Sequence, residues 1–551
     1  MRLIDYLDKG ASLGEAEPCM EMQGSVFSYG DVQRLSYRIA NALRASGTRP
    51  GDKVAILSHN DPVAFSCVFG ISRAGAVWCP INPRSEAAEN RLILDAFDCT
   101  VLIFQRAFAS LVEKIAPDLP KLRVLVCLDS KAAVVEPGGR TGAIADATAT
   151  ARANVTTAAD PGGVAGEISF QRWLEDTSDA PVAVEPVDDL AMIAGTGGTT
   201  GKPKGVMLSG HNLEAMSAIT LMSYPFRGRP VYLALAPLTH AAGVLCMPIL
   251  TLGGCIQIMP SADLAAFLEL IERRRVTHTF LPPTLIYMLL QHPALPRTDV
   301  SSLQCFWYGA APIAAARLEE ALLKIGPVMA QLFGQTEAPM MISTMSPAEH
   351  FATDGTIARE RLTSAGRPTP LMQVRVMDDA GRLLPTGSRG EIVVRGPLVM
   401  SGYYKNAEAT AEASRFGWHH TGDIGYLDAD NFLFIVDRAK DMIITGGFNV
   451  YSVEVEQALL QHPAVQDSAV VGLPDEKWGE RVTAVVQLHA GRAAQPDDII
   501  AFVKERIGSV KSPKHVEIWA DLPRSKVGKV LKNEIKAALL RGLEEAQQRE
   551  P

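Results

Sequence analysis

Gly195-Thr196-Gly197-Gly198-Thr199-Thr200-Gly201-Lys202-Pro203-Lys204-Gly205 crowds glycines, threonine hydroxyls and two ammonium groups into one short segment. Glycines let backbone N–H groups approach an oxyanion with no Cβ in the way. Thr196, Thr199 and Thr200 add hydroxyl donors, and Lys202 and Lys204 add charge, so the stretch suits a polyphosphate. The apolar run Leu190 to Ala194 predicts a buried strand before it, and Val206 to Leu208 a return strand after it. The loop then sits at a strand end facing solvent. A Walker loop is excluded because Thr196 stands where its first glycine is needed and Pro203 where its hydroxyl is needed. The G-x-G-x-x-G dinucleotide spacing is also absent. By itself the stretch still fits a plain Gly-Thr surface loop.

Outward from the loop, short apolar strands alternate with helical stretches through the first four hundred residues. Val54 to Leu57, a helix near Ala64 to Arg73, and Ala76 to Pro80 set the rhythm of an α/β fold with parallel sheets. Lys131 to Gly166, rich in Ala, Gly and Thr, reads as a mobile surface insertion. Around Val374-Val376, Glu391-Arg395 and Phe432-Val436, strands follow one another without long helices, which predicts a small β-rich subdomain. Beyond Lys440 the pattern becomes mixed: helices over Val453–Leu460 and Asp497–Ile507, strands over Asp467–Gly472 and Val482–Leu488, and a polar helix from Ile535 to Arg549.

Composition narrows the function. A chain of 551 residues exceeds one core, and its net charge of −8 argues against a nucleic-acid surface. Eight cysteines without a C-x-x-C pair read as reduced thiols in a cytoplasmic protein rather than a metal site, although Cys19, Cys99 and Cys305 lack fully apolar neighbours. Pro230 to Ala262 carries no charge apart from His240. Pro237, Pro248 and Gly253-Gly254 nevertheless cut it into a strand, a loop with His240, a buried helix and a strand from Cys255 to Met259, too short to span a membrane.

Further motifs follow in order. Phe333-Gly334-Gln335-Thr336-Glu337 sets one carboxylate in a neutral stretch; a magnesium ligand explains that isolation, as would a core aromatic followed by a helix start. Gly309-Ala310-Ala311-Pro312 is a loop of small residues. Thr421-Gly422-Asp423, inside Trp418-His419-His420-Thr421-Gly422-Asp423, offers the two coplanar acceptors that suit a diol, or is simply a turn. Pro523-Arg524-Ser525-Lys526-Val527-Gly528-Lys529 is a lysine-rich loop, or with Lys532 a solvated basic face.

Together these motifs resemble the adenylate-forming superfamily of acyl-CoA synthetases, peptide-synthetase adenylation domains and luciferases. Their phosphate loop reads Thr-Ser-Gly-Thr-Thr-Gly-x-Pro-Lys-Gly, and here Gly197 replaces the serine. The resemblance runs from Phe27-Ser28-Tyr29-Gly30 to Lys532. It implies two α/β subdomains plus a small β-barrel-like subdomain in a large domain over 1–439, and a small mobile α+β domain over 440–551.

The resemblance also implies roles. ATP phosphates fall to Thr196, Gly197, Gly198, Thr199, Thr200, Gly201, Lys202 and Lys204. Adenine falls to Gly309, Ala310, Ala311, Phe333 and Gly334, where Phe333 replaces the usual tyrosine. The α-phosphate falls to Thr336, Mg2+ to Glu337, and the ribose to Asp423 and Arg438. Lys529 is the catalytic lysine, bridging the acid and the α-phosphate. Lys440 is the hinge, and Gly446-Gly447 line a path for the CoA thiol arm. Ser452 replaces a usual proline. His240 stands beside the acyl carboxylate, although a lone histidine in an apolar run is also an ordinary core residue.

No acidic residue neighbours His240 in sequence, which disfavours an amino-acid substrate. Ala241, Ala242, Gly243, Val244, Met247, Ala338, Pro339, Met340 and Met341 suggest a hydrophobic acid, whether fatty, aryl or alicyclic. The expected activity is an acid–CoA ligase using ATP, Mg2+ and CoA. An acyl-AMP ligase feeding a carrier protein is the alternative. A regulator without catalysis conflicts with the presence of Lys529, Glu337, Asp423 and Arg438. The resemblance also allows a homodimer.

Overall fold

The computed structural model describes residues 1–129, 164, 166–196, 203–239, 241–475, 477–524 and 530–547. The proposed insertion over Lys131–Gly166 therefore falls almost wholly outside the described residues.

Two large sheets form the bulk of the chain. In the first, Lys53–Leu57, Val77–Ile81, Cys99–Phe104 and Val124–Cys127 run parallel at the centre, with Pro62–Arg73 the helix between the first two. Leu190–Thr196 adds parallel to Val77–Ile81, and Lys204–Ser209 returns antiparallel to it. The short strand Gly402–Tyr403, two hundred residues later, closes that edge. In the second sheet, Val231–Ala234, Cys255–Ile258, His278–Leu281, Cys305–Tyr308 and Met329–Gln335 are parallel to their neighbours. Ala338–Met345 then turns back antiparallel on Met329–Gln335. Such continuous apolar strands are what a sheet covered on both faces requires.

The β-rich subdomain is a four-stranded antiparallel sheet of Gln373–Met377, Gly390–Arg395, His419–Leu427 and Leu433–Arg438. A fourth sheet contains Ile443–Thr445, Phe448–Val450, Val465–Asp475, Gly479–Leu488 and His515–Ile518. It packs against the helices Ser452–Leu459, Pro496–Lys511 and Lys532–Gln547, and its two apolar clusters draw only on residues from Ile443 onward. Lys440 lies in the turn between the third and fourth sheets.

All eight cysteines are buried and unbonded to one another. Cys19, Cys99 and Cys305, set apart by polar sequence neighbours, are no exception. Each opens or lies in a sheet strand, where alternate residues face opposite sides and both sides are covered. The uncharged run from Pro230 to Ala262 folds as expected into strand, buried helix Ala241–Thr251 and strand. Gly243 is small for a packing reason: a Cβ there would lie 1.9 Å from the Leu238 carbonyl oxygen. Among the described residues no helix is long and apolar enough to cross a membrane.

Candidate active site

Leu190–Thr196 buries Met192 and Ile193 and emerges at exposed Gly195, so the sheet delivers the glycine-rich segment to its end. Thr196 and Lys204 face each other across the two strands at the edge of the described residues, with Pro203 the first described residue on the return side. Gly197, Gly198, Thr199, Thr200, Gly201 and Lys202 lie outside the described residues, as do His240 and Lys529. Lys529 is flanked by Arg524 and Val530, which pair as an antiparallel bridge, with the Leu531 N–H donating to the Pro523 carbonyl at 2.8 Å.

Thr336 and Glu337 form the two-residue turn between Met329–Gln335 and Ala338–Met345, with Gln335 paired to Ala338. The helix start considered for Glu337 is thus replaced by a hairpin tip, and Phe333 is partly buried at its base. Close packing explains the glycines here. A Cβ on Gly334 would lie 2.2 Å from the Met340 nitrogen, and one on Gly309 would lie 2.3 Å from the Leu332 carbonyl oxygen. Ala310 adopts φ +65, a left-handed value a non-glycine residue occupies at a cost, directly after strand Cys305–Tyr308. The loop 309–311 is therefore held beside the strand that carries Phe333.

The Glu337 carboxylate is half-buried, and Tyr403 donates its phenol O–H to Glu337 Oε1 at 2.8 Å. The Met400 N–H donates to the Glu337 carbonyl, also at 2.8 Å. The Lys204 ammonium lies 4.9 Å from the centre of the Tyr403 ring, within cation–π range. Burial, and then the Glu337 charge, push the Tyr403 phenol well above its ordinary pKa, so it remains a proton donor. Lys204 and the hairpin-tip carboxylate of Glu337 are thereby joined through one tyrosine.

On the third sheet, Asp423 and Arg438 are cross-strand partners, and Arg438 Nε donates to Asp423 Oδ1 at 2.8 Å. Asp423 is buried while Arg438 is only partly exposed, so the arginine orients a carboxylate the strand already holds. The Asp423 N–H donates to Thr421 Oγ1 at 3.1 Å and Thr421 donates to the Ile392 carbonyl at 2.7 Å, which makes Thr421–Asp423 a continuing strand rather than a free turn. Gln335 Nε2 donates to His419 Nε2 at 3.1 Å and so ties this strand to the hairpin of Thr336 and Glu337. Burial holds His419 down to about 4, leaving it a neutral acceptor at physiological pH.

Gly446 and Gly447 have φ of +56 and +81 and make the two-residue turn between Ile443–Thr445 and Phe448–Val450, a turn that demands left-handed residues. The Gly446 N–H donates to the Trp478 carbonyl at 2.7 Å. Lys532 is not part of a solvated face. Its ammonium donates to Ser452 Oγ at 2.5 Å and pairs with Glu456 Oε1 at 2.7 Å. Ser452 in turn donates its N–H and its O–H, the latter at 2.8 Å, to Asp437 beside Arg438.

Tyr403, His419 and Asp437 escaped the reading of the sequence. His419 lay within a quoted motif and Asp437 beside Arg438, but nothing local marks Tyr403, which reaches Glu337 only through sheet pairing.

Known proteins resemble this chain over most of its length. The AMP-binding enzyme family matches residues 9–404, and the AMP-binding enzyme C-terminal domain matches residues 454–529. A medium/long-chain-fatty-acid–CoA ligase of Mycobacterium tuberculosis is 35% identical over 518 residues, 93% of this chain and 85% of its own length. A feruloyl-CoA synthase of an Amycolatopsis species is 35% identical over 515 residues, 93% of this chain and 94% of its own. The solved amide bond synthetase McbA of Marinactinospora thermotolerans superimposes with a TM-score of 0.83 at 30% identity, over 97% of this chain and 99% of its own. With family matches on both sides of the Lys440 turn and acyl-CoA ligases among its relatives, the chain belongs to the AMP-binding enzyme family as an adenylate-forming ligase of the acyl-CoA synthetase type.

Proposed function

We propose that this protein activates a hydrophobic carboxylic acid, fatty, aryl or alicyclic, with ATP, expelling pyrophosphate, and then passes the acyl group to CoA, releasing AMP. The observation that carries the reading is the joining of remote motifs: Lys204 to Glu337 through Tyr403, and the Asp423 strand to the same hairpin through His419 and Gln335.

A carboxylate is a poor acyl donor because its leaving group would be oxide, so exchange for AMP is the first task. Phe333 offers its ring to adenine, with Gly309, Ala310, Ala311 and Gly334 leaving room on either side. Asp423, oriented by Arg438, accepts the ribose hydroxyls. Thr336 donates to the α-phosphate, while Thr196, Gly197, Gly198, Thr199, Thr200, Gly201, Lys202 and Lys204 hold the β- and γ-phosphates. His240 orients the acid, and Lys529 neutralises charge between the carboxylate and the α-phosphate.

Glu337 suits Mg2+. Tyr403 engages Oε1, no hydrogen bond or ion pair among the described residues engages Oε2, and no cluster of three metal-ligating side chains occurs among them. One carboxylate plus substrate phosphates is the ligand set this ion commonly takes. The ion would supply positive charge against the phosphates.

For the second half-reaction, the proposal divides the chain into domains 1–439 and 440–551 that reorient at Lys440, bringing Gly446 and Gly447 to the CoA thiol arm. The eight buried, unpaired cysteines support a cytoplasmic location. A homodimer is expected from the resemblance and is checked by light scattering.

Mass spectrometry of products from protein, ATP, Mg2+, CoA and a panel of fatty, aryl and alicyclic acids tests the proposal. Acyl-CoA with AMP is expected, and Lys529→Ala should slow it by on the order of 100-fold or more. Turnover only with a phosphopantetheinylated carrier protein, or only with an amine, would overturn the choice of CoA.

A further inference from the structure

The geometry points to Tyr403 as a positioning residue that fixes the Glu337 carboxylate, taking Oε1 so that Oε2 is presented to the metal, and that links this carboxylate to the phosphate-loop cation Lys204. The inference rests on the proposed role of Glu337 as the Mg2+ ligand.

Three features set Tyr403 apart from an ordinary buried tyrosine. Its backbone is held firmly: its own N–H donates to Thr410 Oγ1 at 2.9 Å, and the Tyr404 N–H donates to the Gly205 carbonyl at 2.7 Å. Gly402 and Tyr403 also pair with Met207 and Val206, on the strand that leaves the phosphate loop. Its hydroxyl ends on the hairpin-tip carboxylate at 2.8 Å while the residue as a whole is only 8% exposed, so water competes little for that bond. Its ring lies beside the Lys204 ammonium.

A carboxylate that binds Mg2+ through one oxygen gains from a donor on the other. That donor restricts rotation about the last side-chain bond and selects one orientation before metal and nucleotide arrive, and loss of such a supporting donor typically costs 10- to 100-fold in affinity or activity. Since Tyr403 contacts Lys204 as well, the strand register that aims the phosphate loop also aims the metal ligand.

The test uses the full chain and Tyr403→Phe, which keeps the ring beside Lys204 and removes only the hydroxyl. Mn2+ binding is followed by electron paramagnetic resonance in the presence of the unreactive α,β-methylene analogue of ATP, with a thermal melt as a control on folding. The expected result is a Mn2+ Kd raised about tenfold in Tyr403→Phe. The Mg2+ concentration for half-maximal ATP–pyrophosphate exchange should rise in parallel, while KM for the acid stays unchanged.

Glu337→Gln should raise the Mn2+ Kd by itself, and adding Tyr403→Phe to it should have no further effect. If Glu337→Gln raises the Kd but Tyr403→Phe leaves it at the wild-type value, the positioning role is overturned while the metal reading stands. If Glu337→Gln leaves the Kd unchanged, the metal reading falls and this inference with it. A Tyr403→Phe effect that persists in full on the Glu337→Gln background would also overturn the role, since the tyrosine would then act by another route.

Discussion

Ser452→Pro restores the proline usual at this position in the family, and the structure says that here it should be damaging. Ser452 is the first residue of helix Ser452–Leu459, a position where proline normally fits. Its N–H and O–H, however, both donate to Asp437, which is 3% exposed. Proline removes both donors and leaves the Asp437 carboxylate with the Arg438 N–H, at 2.8 Å, as its remaining neighbouring backbone donor.

Two hydrogen bonds to a charged group are worth about 1.5–3 kcal/mol each, or about 3–6 kcal/mol together. Proline returns up to about 1 kcal/mol by stiffening the unfolded chain. A net local loss of about 2–5 kcal/mol follows. Ser452→Ala keeps the N–H and should lose about half as much. In both variants Lys532 retains Glu456.

Because the contact spans the proposed hinge, local opening reports it better than global melting. Native-state hydrogen exchange of peptides covering residues 440–460 should speed up by about 30-fold or more in Ser452→Pro, at about 1.4 kcal/mol per decade. The increase in Ser452→Ala should be smaller. Wild-type exchange in both variants would refute the reasoning, and so would equal loss in both, because the N–H would then contribute nothing.

Gly309→Ala puts a Cβ 2.3 Å from the Leu332 carbonyl oxygen, so the Phe333 strand must shift by roughly 1 Å. A displacement of about 1 Å can cost on the order of 100-fold. We expect a comparable fall in kcat/KM for ATP with the protein still folded, and unchanged kinetics would contradict the packing argument. Burial holds His278, His350 and His419 each down to about 4, against about 6.5 when unfolded. The folded state thus binds fewer protons between those values. Stability is full above pH 6.5 and falls as pH drops toward 4, by up to about 3 kcal/mol per histidine. Melting curves from pH 7.5 to 4.5 should show this, and His278→Gln should flatten the slope. Lys440→Pro should leave adenylate formation nearly intact and slow thioester formation when the two half-reactions are assayed separately; equal loss in both would remove Lys440 as the hinge.

Much of the active site is local, and local features were legible. Gly195–Gly205 reads as the proposed phosphate loop because close backbone approach needs glycine and charge needs lysine, and residues 197–202 of it lie outside the described residues. The flanking strands Leu190–Thr196 and Lys204–Ser209 follow from apolar runs bounded by that loop. Phe333–Glu337 and Thr421–Asp423 were visible as chemistry but not as conformation. Alone, the first also read as a helix start and the second as a turn, and only pairing with neighbouring strands made one a hairpin tip and the other a strand. The burial of Cys19, Cys99 and Cys305 was hidden for the same reason: neighbours in sequence do not reveal what covers a sheet.

The sequence by itself determined which groups this protein offers for the proposed handling of ATP and an acid, because residue type and short spacing set their chemistry. The tertiary structure decided how those groups are held. Tyr403 meets Glu337 across 66 residues, and Lys532 meets Ser452 across 80. Contacts at such separation depend on strand register and on which faces are buried. Those are settled by the packing of the whole chain, since no local pattern encodes a partner so far along it.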